Sequence, residues 1–393
     1  MMHGFEFYTP TRVIFGARSL EKLPEAVGRC GAKRVFVIYG GQSAKKSGTL
    51  DRVEALLTGA GIAFAAIGGV KPNPRLGLAR EAIREAIAFG ADLILAVGGG
   101  SVIDTAKATA HGTANPEADI WDIWMGKVKL EKSLPVGVVL TIPAAGSEMS
   151  DSAVLTDEAA LAKRGLNTDL NRPAFALMDP SLAATLPARQ AACGVTDIMM
   201  HTLERYVNPL ENDMTDEIAE ALLRVVIRHG EAVVKNPGDI DAMSEIMWAG
   251  SLSHNNLTGL GGKKDFSVHQ FGQAIGEKLD IYHGETLSAM WASYARYVAP
   301  TNFARFARYA RNVWGVEEAD DEKAAVAGID ATEAYFKRLG MPVRIAELSC
   351  GVQDEAGLYD LALRCSRNRG RTIGSFRVLD FEDMLNVYQM ANK

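Results

Sequence analysis

Asp197 and His201 stand four residues apart in GVTDIMMHTLERYV. The stretch carries apolar residues at helical spacing, so both side chains leave one helix face a single turn apart. His269 and His283 follow in FSVHQFGQAIGEKLDIYHGE. The first lies at the start of a helical run; the second comes after a break at Leu279-Asp280 and opens a further helix. One carboxylate and three imidazoles make an N3O donor set suited to Fe2+ or Zn2+. Such a set cancels only one of the ion's two charges and leaves a Lewis acid with an open position. An alcohol held there loses its proton near neutral pH, and an aldehyde oxygen is polarised for hydride attack. A lone helical histidine is more often a packed or surface residue than a ligand, and that is the reading for His111, His229 and His254. For the Asp197/His201 pair taken alone, both readings stay open.

A second chemical feature is Gly98-Gly99-Gly100-Ser101, which follows the apolar run DLILAV and precedes the helical pattern VIDTAKATAHG. Strand, glycine loop and helix in that order form an anion cradle. The glycines admit a close backbone approach, and the helix N-terminus offers N–H groups and a positive dipole end. The spacing is not GxGxxG, and a glycine turn is also ordinary loop chemistry. Asp104, three residues after Ser101, is equally readable as the acidic partner of a Ser101 capping box. A further turn, Tyr39-Gly40-Gly41-Gln42-Ser43, closes the run RVFVIY, where nucleotide folds often place an acid against the adenosine ribose. No acid stands there. Lys45 and Lys46 follow instead, which suits a 2′-phosphate; the alternative is an exposed basic turn.

These groups must be held by two differently patterned halves. From Arg12 to about Asp179, β-rich runs (RVIF, RVFVIY, IAFAAI, DLILAV, PVGVVLTIP) alternate with helical stretches such as 51–59 and 76–89. That predicts βαβ units around a mostly parallel sheet. Beyond Leu186-Pro187 the strand pattern fades. Amphipathic stretches follow, among them 215–234, 240–254 and 323–339, and predict an all-helical half. The expected domains are 1–186 and 187–393, with a cleft at the boundary. With 393 residues the chain is long enough for two cores. Its 48 acidic against 42 basic residues supply no positive field for nucleic acid or anionic lipid. No apolar stretch is long enough to span a bilayer, and the four scattered cysteines read as free thiols. A cytoplasmic protein without nucleic-acid or membrane partners is expected.

Taken together, these blocks resemble the iron-containing (group III) alcohol dehydrogenases, in their NADP-dependent butanol dehydrogenase-like and aldehyde reductase-like branch. The resemblance rests on FEFYTPTRVIFG, KPNP at 71–74, GGGSVIDTAKA, TIPAAGSEMS, LMDPSLAATLPARQ and the two histidine-bearing blocks, in order along nearly the whole chain. It implies an α/β dinucleotide-binding domain and an all-α domain, with metal and cofactor in the cleft between them. It also implies that Asp197, His201, His269 and His283 hold one divalent metal, Fe2+ or Zn2+. The cofactor would meet Gly40, Ser43, Asn73, Gly99, Gly100, Ser101, Asp104, Thr141, Ser147 and Lys163, with the GSEM loop near the nicotinamide. The expected reaction is hydride transfer between NADP(H), preferred over NAD(H), and a small alcohol or aldehyde, by a homodimer. A related polyol dehydrogenase, a dehydroquinate synthase-like enzyme and a non-catalytic nucleotide-binding scaffold are the alternatives. One departure stands out: many relatives in this branch carry a histidine four residues after the third ligand, where this chain has Gln273. A neutral amide cannot exchange protons near pH 7.

Overall fold

Six of the strands form one parallel sheet in the order β1-β8-β5-β4-β2-β3. They are β1 (Arg12–Phe15), β2 (Arg34–Tyr39), β3 (Ala63–Ile67), β4 (Leu93–Gly98), β5 (Val136–Leu140) and β8 (Phe175–Met178). Every residue of β4, β5 and β8 is buried, as expected when helices cover both faces of a parallel sheet. On one face Val35, Val37, Leu93, Leu95, Val97 and Leu177 pack with Val53 and Leu57 of α1 (Thr49–Gly59). A separate cluster joins Leu76 and Ala79 of α2 (Leu76–Phe89), Ala108 of α3 (Gly100–Ala114), Ile120, Ile123 and Trp124. That cluster also takes in Ala153 and Leu155 of β6 (Ser152–Asp157), which forms an antiparallel pair with β7 (Ala162–Asn167). The pair and β8 are absent from the sequence reading, because SAVLTD and AKRGLN are too polar and FALM too short to stand out as strands.

The computed structural model describes residues 3–160 and 162–393. They divide into two units. The sheet belongs to the unit made of Tyr8–Leu186 and Pro237–Ser251. Most of the helix Ile240–His254 therefore groups with the α/β unit, whereas the sequence reading placed it in the helical half.

The other unit contains Pro187–Asn236 and Leu252–Lys393 and, among its described residues, has no strand longer than an isolated bridge. Its helices include α4 (Ala188–Tyr206), α5 (Asp213–Lys235), α6 (Ser267–Leu279) and α7 (His283–Val298). Helix α4 is buried at every position from Gly194 to Tyr206, and α7 from Gly284 to Ala295. Buried helices normally read as apolar all round. Here α4 also buries Asp197, His201, Thr202, Glu204 and Arg205, and each needs a partner or a purpose. The two helices approach closely at Gly284, where a Cβ would sit 2.7 Å from the Cα and O of Cys193.

Candidate active site

The sheet topology fixes where a nucleotide could sit. From β2 the chain passes to β3 on one side, then returns through α2 to β4 on the other side of β2. The loops after β2 and β4 diverge from this switch point, the usual binding crevice of an open parallel sheet. Gly40 follows Tyr39 in one loop, and Gly99, Gly100 and Ser101 follow β4 in the other; Tyr39 pairs with Val97. Thr141 adjoins them, its N–H donating to the Gly98 carbonyl (3.1 Å). The glycines are needed for packing. A Cβ at Gly98 would meet Val102 at 2.5 Å, and one at Gly99 would meet Ile142 at 2.7 Å. Gly99 is the N-cap of α3, with no side-chain cap, so the capping box built on Ser101 and Asp104 does not form. Asp104 is committed elsewhere: it accepts from Ser147 Oγ (2.6 Å) and from the Val154 N–H (2.9 Å).

Ser147 in turn accepts from the fully buried Lys107, whose ammonium also donates to the carbonyl of Ser152 (2.9 and 2.7 Å). Burial pushes the Lys107 ammonium down to about 8 against the opposing pull of Asp104, and burial raises the Asp104 carboxyl. Lys163 and Asn73 also meet, Nζ donating to Oδ1 at 3.0 Å. The β6–β7 pair makes this possible: Thr156, opposite Lys163, donates from its backbone to Pro74 (2.8 Å). Ser43 opens the short helix Ser43–Lys46, and Lys45 reaches over the Tyr39 ring at 5.2 Å. The ten residues expected at a cofactor thus lie on the loops after β2, β4 and β5, on α3, and where 73–74 meets the β6–β7 pair.

The metal candidates converge in the helical unit. Asp197 Oδ1 lies 3.5 Å from His201 Nδ1, 3.6 Å from His269 Nε2 and 3.7 Å from His283 Nε2. Roughly 3.4 Å separates ligand atoms in a tetrahedral site with bonds of about 2.1 Å. Donor atoms of Asp197, His269 and His283 all lie within 4.8 Å of one another. Asp197 Oδ1, His201 Nδ1 and His269 Nε2 are buried with no hydrogen-bond partner. Buried polar atoms are rarely left so, and two imidazole nitrogens facing one carboxylate oxygen fit a divalent cation; His201 stands outside the three-residue group and meets it through Asp197. His283 is 30% exposed and leaves that side open.

The surroundings keep these rings in place. Burial and the neighbouring His254, His269 and Arg205 hold the His201 ring well below its usual range, which favours the neutral form that a metal could bind. Burial disfavours charge on His269, but the Glu204 and Asp197 carboxylates outweigh it and raise that ring to about 9. Two residues near the site escaped the sequence reading. His254, read as a packing or surface residue, lies with its ring centroid 4.0 Å from that of His201. Glu204 hydrogen-bonds His269 Nδ1. Its one sequence signal is its place on the Asp197/His201 helix face, seven residues after the aspartate. His111, by contrast, is a structural residue bonded to Ser133 and Asn171 (2.8 Å each).

Residues 10–180 match the family described as iron-containing alcohol dehydrogenase, and residues 190–392 match the C-terminal domain of the Fe-containing alcohol dehydrogenase family. The chain belongs to the iron-containing alcohol dehydrogenases. It is 36% identical to NADH-dependent butanol dehydrogenase A of Clostridium acetobutylicum, covering 99% of this chain and 100% of the relative. It is 34% identical to the NADPH-dependent aldehyde reductase YqhD of Escherichia coli, covering 88% and 89%. The crystal structure of NADH-dependent butanol dehydrogenase A from Thermotoga maritima superposes with a TM-score of 0.95 at 32% identity, over 100% of this chain and 99% of that one. As a member of this family, the chain is a metal-dependent NAD(P) oxidoreductase acting between alcohols and aldehydes. No helix among the described residues is long and apolar enough to cross a membrane.

Proposed function

We propose that this iron-type alcohol dehydrogenase reduces small aldehydes with NADPH, using one Fe2+ or Zn2+ held by Asp197, His201, His269 and His283. The observation that carries this reading is the convergence of two unpartnered, buried imidazole nitrogens, of His201 and His269, on Asp197 Oδ1 at 3.5 and 3.6 Å, with His283 Nε2 at 3.7 Å. When bound, the metal supplies Lewis acidity toward the substrate oxygen and the nicotinamide supplies the hydride. The chain's own task is positional. The loops at Gly40 and Gly99–Ser101 offer backbone N–H groups and a helix N-terminus to the phosphates. Asn73 holds Lys163, and Asp104 and Lys107 hold Ser147, which fixes the GSEM loop beside the nicotinamide. Gln273, one turn after His269 on α6, offers an amide that can hydrogen-bond substrate without passing a proton, so water or a cofactor hydroxyl delivers it.

The relatives named above divide between NADH and NADPH. Support for NADPH comes from Gly40 standing where an acid would repel a 2′-phosphate, followed by Ser43, Lys45 and Lys46. Homodimerisation is proposed from the family resemblance, and a cytoplasmic location from the four free thiols. Initial rates with a panel of aldehydes, taken with NADPH and with NADH after loading Fe2+, Zn2+ or Mn2+, test the reading. NADPH should give the higher kcat/KM, and Gly40→Asp should reverse the order. A Cβ there meets nothing nearer than 3.7 Å, so the substitution is sterically admitted. Absence of turnover with every aldehyde and metal would remove the activity; equal or better use of NADH by the parent would remove the cofactor preference.

A further inference from the structure

The N-cap residue of helix α6, Phe266, is in the left-handed region (φ 55°) and provides no side-chain acceptor. Asp265 Oδ1 accepts from the first N–H, that of Ser267 (3.1 Å), and the next N–H groups need an acceptor from elsewhere. Glu204 of α4 fills this need. Its Oε1 accepts from the N–H of Val268 (2.5 Å) and of His269 (3.3 Å), while its Oε2 accepts from the His269 ring at Nδ1. The Glu204 backbone carbonyl also accepts from the N–H of Asp265 (2.8 Å), which fixes the chain entering α6. The glutamate is 1% exposed. A carboxylate buried this deeply is costly unless it is paired and bonded.

We infer that Glu204 is the positioning residue of the metal centre, setting both the backbone and the ring of His269 so that its Nε2 faces Asp197. This rests on the metal reading proposed above. Asp197, His201 and Glu204 occupy positions i, i+4 and i+7 of α4 and share one face. One helix therefore carries two ligands and the group that aims a third. Once Nε2 gives up its proton, as binding a cation requires, donation from Nδ1–H to Glu204 keeps the lone pair on Nε2, the orphaned atom 3.6 Å from Asp197. It also makes the ring a stronger donor to a cation, as carboxylates behind metal-bound histidines do.

The test uses the full-length protein stripped with a chelator and reloaded with Zn2+ or Co2+. Glu204→Gln keeps the shape and removes the charge. It should weaken Zn2+ affinity on the order of 10- to 100-fold, read by competition with a chromophoric chelator. It should also change the visible spectrum of bound Co2+, while NADPH binding to the stripped protein stays at the parental value. Glu204→Asp, which keeps the charge, should recover part of the affinity. If the Gln variant fails to fold, the Asp variant decides alone: a shifted Co2+ spectrum supports the role and an unchanged one overturns it. Parental Zn2+ affinity together with a parental Co2+ spectrum in Glu204→Gln overturns the role of Glu204 and leaves the metal reading intact. A parent protein that binds neither ion overturns both.

Discussion

Two groups of buried histidine behave in opposite ways. In the α/β unit, His111 has a partner on each ring nitrogen, Ser133 and Asn171, and nothing is left over. In the helical unit, His201 and His269 are as deeply buried, yet each keeps one ring nitrogen unpartnered and turned toward Asp197. The same side chain thus closes a core in one place and leaves an open valence in another. Burial does not mark a ligand; unsatisfied burial does. The loops proposed to meet the cofactor follow the first pattern, since the polar groups of Asp104, Lys107 and Ser147 satisfy one another. A nucleotide would meet a surface that is already built, whereas a metal would complete one that is unfinished.

Removing the metal is the hardest test of that contrast. Chelator-treated protein should lose essentially all aldehyde reduction while far-UV helicity and NADPH binding, followed by fluorescence, remain near parental. Full activity in protein shown metal-free by elemental analysis would collapse the distinction between the two regions. Next in size is Lys107→Met, which strips the buried link between Ser147 and the chain at Ser152 and leaves Asp104 without its nearby cation. Breaking such a buried charge network costs on the order of 3 kcal/mol. The urea midpoint should fall and NADPH affinity should drop with it, while Zn2+ affinity stays unchanged.

His111 gives a pH signature of comparable size. Burial lowers its pKa to about 4, partly offset by the Asn171 bond, whereas the unfolded chain titrates near 6.5. The unfolded state therefore takes up the proton first. The stability this group contributes is complete above pH 6.5 and is lost as pH falls from there toward 4, by about 3 kcal/mol in all. His111→Asn should flatten that slope in urea midpoints taken between pH 7 and 4.5; an identical slope would show that His111 is not the group responsible. The smallest effect separates two glycines of the helical unit. Gly284→Ala forces a methyl against the backbone of Cys193 and should cost roughly 1–3 kcal/mol, with weaker metal retention because His283 is its neighbour. Gly276→Ala meets nothing nearer than 3.8 Å and should leave metal content and stability close to parental. Equal behaviour of the two would mean that the close approach of α4 and α7 does not hold the ligand set.

Much of this architecture was legible in local pattern. The alternation of RVFVIY, DLILAV and PVGVVL with amphipathic stretches predicts a parallel sheet because strands covered on both faces must be continuously apolar. The i,i+4 pair of Asp197 and His201 and the helix starts near His269 and His283 were likewise readable, since each depends on a 3.6-residue period. The capping box at Ser101 was not, because its acid is taken by Ser147 and Val154 from distant segments. The β6–β7 pair escaped because its strands carry little apolar signal.

Residue order alone determined which groups could act: the glycine run after a strand, the absence of an acid near Gly40, the three histidines and one aspartate, and Gln273 in place of a base. These are properties of side-chain type and local period, which need no partner to be expressed. Tertiary structure decided which groups were left unsatisfied and which were consumed. It turned Asp104 toward Ser147, bonded His111 on both sides, set His254 against His201 and brought Glu204 under His269. Those outcomes depend on contacts between residues as much as 65 positions apart, and hydrogen-bond satisfaction belongs to the folded chain as a whole, so no local window of sequence contains it.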